Sequence, residues 1–399
     1  MSLRTPAPRI TAPFLTEPGL VRVLTALRAG GHQALIVGGA VRNALLGEPV
    51  ADIDLATSAP PQRTVELVQA AGLRAVPTGI EHGTVTVVAD DKGYEVTSFR
   101  RDVQTDGRHA VVAFSDSIED DARRRDFTMN ALYAEASGRV LDPVGGMSDL
   151  VARRLRFVGA PRDRIAEDYL RILRFYRFLA CYGRAADLHA LAACRELRAG
   201  LESISRERIG HEMRKLLAAP DPSRAVALMA EAGVLPLVLP GADASDLPDL
   251  IAAERDYGTG ALPAWPRRLA LLAPTDAADA LRLSRDEARM QERIAAALAL
   301  SGPEAAYRFG REVAAQSVLI RAARGETPAF GWCHALARGA AARLPLAAGD
   351  LMPDVSGPAL GQALKRAELA FIASDFRLDA EALRAIALED VPARTKNTP

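Results

Sequence analysis

The sequence predicts an α+β protein, with a mixed sheet and helices in residues 1–145 and an all-helical remainder. Short β-rich runs alternate with helical segments before residue 145. After Gly146 the β signal fades, and the chain becomes rich in Ala, Leu and Arg with helical periodicity. At 399 residues the chain is also too long for a single ordinary core, which favours several domains.

The predicted elements of the first part follow one another closely. A helix begins at Thr16 as its N-cap, carries apolar residues at helical spacing and stops at Gly30-Gly31. Two β-rich runs at 84–89 and 94–99 flank Asp90-Asp91-Lys92-Gly93, a sequence typical of a hairpin loop. Between the first helix and these β-rich runs we predict a strand at 33–37, a helix at 40–47, a strand at 51–56 and a helix at 61–71.

Composition excludes several classes of protein. The formal net charge is +0, so bulk charge does not hold this chain on nucleic acid, although a local basic face stays open. Cys181, Cys194 and Cys333 are odd in number and form no C-x-x-C pair, which supports neither a disulfide framework nor a zinc cluster. The sequence contains no apolar run of membrane-spanning length, so we expect no membrane association and a cytoplasmic location.

Paired acids mark the candidate catalytic centre. In the predicted strand ADIDLA the two-residue period places Asp52 and Asp54 on one face. Side-by-side carboxylates repel each other unless water or a cation compensates them, and Mg²⁺ prefers oxygen ligands of this kind. Glu95 in YEVTSF can point toward the same place from another strand. The alternative interpretation is a set of solvated acids on exposed strands.

A glycine turn precedes these acids. Gly38-Gly39 separates a strand from a helix, so backbone N–H groups and the helix N-terminus can approach a phosphate, with Arg42 adding positive charge. Downstream, the helical segment around 167–179 has an apolar face, and Arg171, Arg174 and Arg177 lie away from it. Taken alone, the first feature also fits a structural turn and the second a solvated amphipathic helix.

Six sequence blocks together resemble a known family. GGAVR, the DID acids and Glu95 are similar to the nucleotidyltransferase superfamily signature. Four further blocks narrow the resemblance to the class II tRNA nucleotidyltransferase and bacterial poly(A) polymerase family; they lie at 124–131, 142–146, 167–174 and 205–209. Asn43 departs from the family, which usually has Asp there, so we expect an altered hydrogen bond in the helix turn and unchanged phosphate binding.

The resemblance implies a polymerase-β-like palm, Mg²⁺-dependent chemistry and addition of CCA to tRNA from CTP and ATP. The protein itself would select the base, with Asp168 accepting the exocyclic amine shared by cytosine and adenine and Arg171 donating to the ring. Further expected nucleotide contacts come from Arg174 and Arg177 to the triphosphate, and from the block containing Arg124, Arg125 and Asp126 to the ribose. The stretch 101–120 would be a flexible loop.

The resemblance divides the chain by role. Residues 1–145 form a catalytic head, 146–215 a helical neck that recognises the base, and 216–399 a helical body and tail that bind tRNA. Nine arginines against three acids between Val151 and Ala185 predict a basic surface for triphosphate and RNA backbone.

Several other functions compete with CCA addition. A poly(A) polymerase shares the head motifs, but residues 340–399 carry seven basic and eight acidic side chains, so the basic extension expected for that enzyme is missing. Restricted addition of CC or of A stays open. A non-catalytic RNA-binding module would not need paired metal carboxylates, and a small-molecule nucleotidyltransferase would not need the long helical arm.

Overall fold

A computed structural model describes residues 8–106, 109–258, 260–272, 276–352 and 354–389. The chain forms two compact units, Met1–Val238 and Leu239–Pro399. The predicted α+β class is confirmed, since the first unit contains a mixed sheet and the described residues of the second form helices and connecting loops, with no strand.

The first unit contains these strands: β1 Ala34–Val37, β2 Asp54–Thr57, β3 Arg74–Gly79, β4 Thr84–Ala89, β5 Lys92–Ser98, β6 Arg100–Asp106, β7 His109–Phe114, β8 Tyr133–Ala134, β9 Val140–Leu141, β10 Arg154–Leu155 and β11 Ala185–Ala186. Seven of them form one sheet in the order β3-β4-β5-β2-β1-β8-β9. Strands β2 and β5 are parallel, and every other neighbouring pair in this sheet is antiparallel.

Helices cover the sheet and continue beyond it. Buried apolar residues such as Leu35, Phe99 and Tyr133 form a core on one side of the sheet. The helices of the first unit are α1 Pro18–Ala29, α2 Gly39–Leu46, α3 Pro61–Ala70, α4 Ile118–Arg123, α5 Gly146–Val151, α6 Pro161–Glu167, α7 Leu170–Tyr182, α8 Leu188–Glu196, α9 Arg206–Leu217, α10 Ser223–Glu231 and α11 Leu235–Val238.

The predicted β4–β5 hairpin is confirmed, and its turn is tighter than expected. Ala89 pairs with Lys92, so Asp90 and Asp91 alone form the turn. Both have positive φ angles, 50° and 60°. A two-residue turn with both φ angles positive matches the right-handed twist of the strands, and Asp tolerates this conformation.

Three predicted boundaries were wrong. Thr16 ends a 3₁₀ turn, and Glu17 is the N-cap of α1. Strand β2 begins at Asp54 because its partner β1 ends at Val37, where the glycine turn starts, so Asp52 precedes the strand. The expected loop at 101–120 is instead the β6–β7 hairpin followed by α4. Residues 107 and 108 of that stretch lie outside the described residues.

Ten helices lie in the described part of the second unit. Leu351, Phe371 and Leu383 belong to the hydrophobic core of its C-terminal part. Across the described ranges, no helix combines the length and apolar character needed to cross a bilayer. The helices are α12 Leu247–Tyr257, α13 Trp265–Leu272, α14 Ala277–Ala280, α15 Arg285–Ala297, α16 Gly302–Phe309, α17 Arg311–Ala323, α18 Trp332–Ala341, α19 Ala348–Leu351, α20 Pro358–Ala373 and α21 Ala380–Leu388.

Candidate functional site

The candidate metal acids lie at adjacent positions of two parallel strands. Asp54, the first residue of β2, pairs in register with Glu95 of β5. Both side chains are exposed, while Ile53 and Leu55 are buried, as strand alternation predicts. Asp52 is also exposed, although it precedes the strand. The sheet therefore places Asp54 and Glu95 side by side and carries Asp52 to the same end of β2.

These carboxylates influence one another electrostatically. Partial burial raises the pKa of Asp54, and the charges of Glu95 and Asp52 raise this pKa further, while Arg125 lowers it. A divalent cation would relieve such repulsion, and carboxylate oxygens are the donors that Mg²⁺ prefers. Among the described residues, no three His, Cys, Asp or Glu side chains group closely enough to hold a metal by themselves. Mg²⁺ commonly binds through one or two carboxylates together with substrate phosphates, and the pair Asp52 and Asp54 fits this pattern.

The glycine turn lies next to Arg125. Gly38 has φ 69° and ψ −120°, a conformation that favours glycine, and α2 begins immediately after it. A Cβ atom added to Gly38 would lie 3.5 Å from Arg125 Nη1. Because Arg125 also lowers the pKa of Asp54, its guanidinium acts on both the turn and the acids. An anion at this turn would therefore meet backbone N–H groups and a fixed cation.

Arg42 is buried and donates hydrogen bonds to three neutral side chains. Its Nη2 donates to Tyr182 Oη and to Asn43 Oδ1, each at 2.9 Å, and its Nη1 donates to Asn130 Oδ1. The Arg42 guanidinium carbon lies 3.9 Å from the centre of the Tyr182 ring. Burial lowers the pKa of Arg42. The side chain therefore joins α2 to the end of α7, with its charge close to the glycine turn.

The departure at Asn43 has a local structural explanation. Its Oδ1 accepts from Arg42, while its Nδ2 donates to the carbonyl of Pro49 at 2.7 Å. A carboxylate could not make the second bond, because it has no N–H to donate. As expected from the sequence, the hydrogen bonds of this helix turn depend on the amide.

A buried acid that was missed from the sequence holds Arg124 and Arg125, the two arginines of the block 124–131. Asp121 has no exposed surface; its Oδ1 accepts from Arg124 Nε at 2.8 Å and its Oδ2 from Arg125 Nη2 at 2.9 Å. Tyr133 Oη also donates to Asp121 Oδ2, at 2.7 Å. Burial would raise the pKa of Asp121, but the two arginines and Tyr133 lower it. The i, i+3 and i, i+4 spacing to both arginines was the available signal.

Asp126 is joined to helix α7 by an ion pair. Arg174 Nε donates to Asp126 Oδ2 at 3.0 Å, and Asn130 Nδ2 donates to Asp126 Oδ1 at 3.0 Å. Burial opposes ionisation, yet Arg174, Asn130 and the backbone N–H of Phe127 lower the pKa of Asp126 to about 2. The sequence predicts Asp126 near the ribose and Arg174 near the triphosphate. In the structure these two side chains form an ion pair with each other.

The single helix expected around Asp168 is in fact two. Helix α6 ends at Glu167, Asp168 is extended with φ −157° and ψ 106°, and α7 begins at Leu170. Tyr169 is the N-cap of α7, and Asp168 Oδ1 accepts the N–H of Leu170, the first residue of that helix, at 3.1 Å. Asp168 therefore lies in an extended segment between two helices, and the periodicity of neither helix determines the direction of its side chain.

The three arginines predicted to lie away from the apolar face of this segment are partly buried and form ion pairs; they are Arg171, Arg174 and Arg177. Arg171 forms an ion pair with Glu167, and Arg177 Nε donates to Glu212 Oε2 at 2.6 Å. Seven of the nine arginines counted between Val151 and Ala185 form ion pairs within the protein, which lowers the basic excess predicted for this surface. They are Arg154, Arg156, Arg162, Arg164, Arg171, Arg174 and Arg177.

Sequence comparison places the chain among known proteins. Residues 34–156 match the family described as the poly A polymerase head domain, and residues 187–245 match the probable RNA and SrmB-binding site of polymerase A. A CCA-adding enzyme of Streptococcus gordonii is 34% identical over 383 residues, which cover 91% of this chain and 95% of that enzyme. The chain belongs to the family of CCA-adding enzymes and bacterial poly(A) polymerases.

Solved structures of family members agree with this assignment. The CCA-adding enzyme of Bacillus stearothermophilus in complex with CTP is 31% identical, with a TM-score of 0.76, and the match covers 94% of this chain and 98% of that chain. The Thermotoga maritima CCA-adding enzyme complexed with tRNA is 18% identical with a TM-score of 0.69, covering 96% of this chain and 98% of that chain. At that identity the second likeness concerns the fold alone.

Proposed function

We propose that this chain is a template-independent tRNA nucleotidyltransferase that adds CCA to the 3′ end of tRNA from CTP and ATP. The observation that carries the proposal is the register of Asp54 with Glu95, beside a glycine turn that Arg125 contacts. The near full-length relationship to a CCA-adding enzyme supports the substrate class.

In the proposed reaction the 3′ hydroxyl of the RNA attacks the α-phosphorus of the bound nucleotide. The 3′ hydroxyl loses its proton to solvent as a phosphodiester bond forms, the bond from the α-phosphorus to the β-phosphate oxygen breaks, and pyrophosphate leaves. Asp52 and Asp54 would hold Mg²⁺, with Glu95 beside them as the third catalytic acid. Bound Mg²⁺ supplies charge neutralisation at the phosphate and at the attacking and leaving oxygens.

The remaining residues would bind and select the nucleotide. The glycine turn at Gly38 and Gly39 would face the triphosphate. The Gly38 N–H already donates to the carbonyl of Leu132 at 3.0 Å, so the N–H groups offered to phosphate would begin at Gly39. Arg42 would add positive charge near the turn from its buried position beside Tyr182. Arg174 and Arg177 can join them because a guanidinium has five N–H donors, of which their carboxylate partners use only some. The block of Arg124, Arg125 and Asp126 would position the ribose.

Base choice would depend on Asp168 and Arg171. A carboxylate acceptor suits the exocyclic amine of cytosine and adenine, whereas uracil and guanine present a carbonyl at the corresponding position. An acceptor that faces an acceptor in a dehydrated pocket is costly, so the protein can reject the wrong base without a template.

We also propose the division of roles expected from the sequence, with a catalytic head at 1–145, a base-recognising neck at 146–215 and a tRNA-binding body and tail at 216–399.

We propose a cytoplasmic location as well. The three cysteines are free in the structure, which is compatible with a reducing cytoplasm.

The direct test is incubation with tRNA lacking its 3′ CCA, together with CTP, ATP and Mg²⁺, followed by sizing of the product. We expect three added nucleotides; a long ladder would indicate a poly(A) polymerase, and one or two nucleotides a restricted enzyme. Asp54→Asn should abolish incorporation and leave tRNA binding measurable. The exposed Asp116→Asn, outside the site, serves as the matched control.

A further inference from the structure

The block Ser205–Ile209 has no role in the reaction proposed above. It opens α9, inside the segment matched by a family described as a probable RNA-binding site. Arg208 of this block is only partly exposed, and its Nη2 donates to Asp168 Oδ2 at 2.7 Å. The side chain therefore contacts the residue proposed to read the base.

Both oxygens of Asp168 are held by protein groups. Oδ1 accepts the Leu170 N–H at 3.1 Å, and Oδ2 accepts from Arg208. Each carboxylate oxygen has a second lone pair, so both contacts leave acceptor capacity for a base amine. A charge-assisted bond from a planar guanidinium fixes direction better than a contact with water would.

Helix α9 carries a second charged contact on the same face. Glu212 lies one helical turn after Arg208, is buried, and accepts from Arg177 Nε at 2.6 Å. Helix α9 therefore forms two ion pairs with this region, one from Arg208 to Asp168 and one from Glu212 to Arg177 of α7. These two ion pairs fix the position of α9 relative to the proposed nucleotide-binding residues.

We propose that Arg208 is a positioning residue for nucleotide selection, holding the Asp168 carboxylate in the orientation that accepts the amine of cytosine or adenine. The inference rests on the proposed function. It gives Arg208, which lies in the segment matched by the RNA-binding family model, a contact with the base-reading acid rather than with RNA.

The test compares Arg208→Ala, Arg208→Lys and Arg206→Ala in the full-length chain. Arg206 lies on the same helix and is exposed, so its replacement removes an equal charge at a distance from Asp168. The measurements are kcat and KM for CTP, ATP, UTP and GTP, and KM for tRNA lacking its CCA. Circular dichroism checks that each variant is folded.

We expect Arg208→Ala to lower the CTP-to-UTP ratio of kcat/KM at least tenfold, with an unchanged KM for tRNA. Arg208→Lys should restore part of the selectivity, and Arg206→Ala should behave like the original chain. Should the alanine variant not fold, Arg208→Gln takes its place with the same expected loss.

Unchanged selectivity in a folded Arg208→Ala variant would overturn this inference, and so would a rise confined to KM for tRNA. In both cases the original chain still completes CCA, so the proposed function stands. If the original chain adds no nucleotide to tRNA, the proposed function fails, and the positioning role fails with it.

Discussion

At the scale of single residues, the site consists of charged side chains that bind each other. Asp121 holds Arg124 and Arg125, Asp126 binds Arg174, and Glu212 binds Arg177. Removing one partner from such a buried pair leaves an uncompensated charge, which costs more than the pair contributes. The site therefore depends in part on Asp121 and Glu212, two acids that touch no substrate in the proposed mechanism.

Asp126 gives a pH-dependent prediction. Its pKa is about 2 in the folded protein against a usual 3.8, so the unfolded chain takes up its proton first as the pH falls. The contribution of this acid, roughly 2 kcal/mol by linkage, is complete above pH 4 to 5 and declines toward pH 2. Urea unfolding of the original chain and of Asp126→Asn between pH 5 and pH 3 measures it.

The difference in unfolding free energy between these two proteins should be largest at pH 5 and should shrink toward pH 3. A difference that stays constant across this range would contradict the assigned ion pair with Arg174.

At this scale the sequence identified the residues of the candidate site more readily than the side chains that they contact. Gly38, Asp54 and Arg125 were named from their motifs, but Arg42 was expected to face phosphate, and its guanidinium lies against Tyr182. These two residues are 140 positions apart in the chain. Only the packing of α2 beside α7 brings them together, and no local pattern contains that information.

At the scale of elements, the block DPVGG proves to be a helix start. Asp142 accepts the N–H groups of Gly146 at 2.7 Å and Met147 at 2.9 Å, which caps α5. A Cβ atom on Gly146 would lie 2.1 Å from the carbonyl oxygen of Thr128, a residue of the block 124–131. Glycine thus allows α5 to approach the backbone of the residues that follow Asp126.

We predict that Gly146→Ala destabilises the protein by at least about 2 kcal/mol, since backbone must move to admit the methyl group. Gly47→Ala is the control. Gly47 has φ 72° with nothing near the added atom, so only its backbone conformation costs energy, roughly 1 to 2 kcal/mol. Urea unfolding of both variants gives the comparison, and an unaltered stability of Gly146→Ala would argue against the close approach.

The break between α6 and α7 shows why periodicity misplaced an element boundary. Ile165 and Ile172, on either side of Asp168, are both fully buried, so the apolar spacing continues through the break. A helical repeat cannot reveal a short extended segment that keeps this spacing. The hairpin β6–β7 was missed because its first strand, RRDVQTD, is almost wholly polar, although its second strand, HAVVAF, is mostly apolar.

At the scale of the whole molecule, every proposed catalytic and nucleotide-binding residue belongs to the unit that ends at Val238. The proposed role of the second unit is to hold tRNA. A chain that ends at Val238 should therefore bind CTP within a few-fold of the full-length affinity.

The same shortened chain should show at least a tenfold higher KM for tRNA, measured with CTP incorporation at constant salt, because phosphate contacts depend on ionic strength. An unchanged KM for tRNA would show that the first unit supplies the RNA contacts. Lost CTP affinity would show that the nucleotide site needs the second unit.

The sequence by itself determined the α+β class, the glycine turn, the acids of two strands and the family, because these depend on short-range periodicity and on motifs with fixed spacing. The tertiary structure alone decided which charges meet. Arg208 with Asp168, Arg42 with Tyr182 and Asp126 with Arg174 lie 40, 140 and 48 residues apart. Such pairs follow from how helices pack, and packing depends on the whole buried surface rather than on any local run of residues.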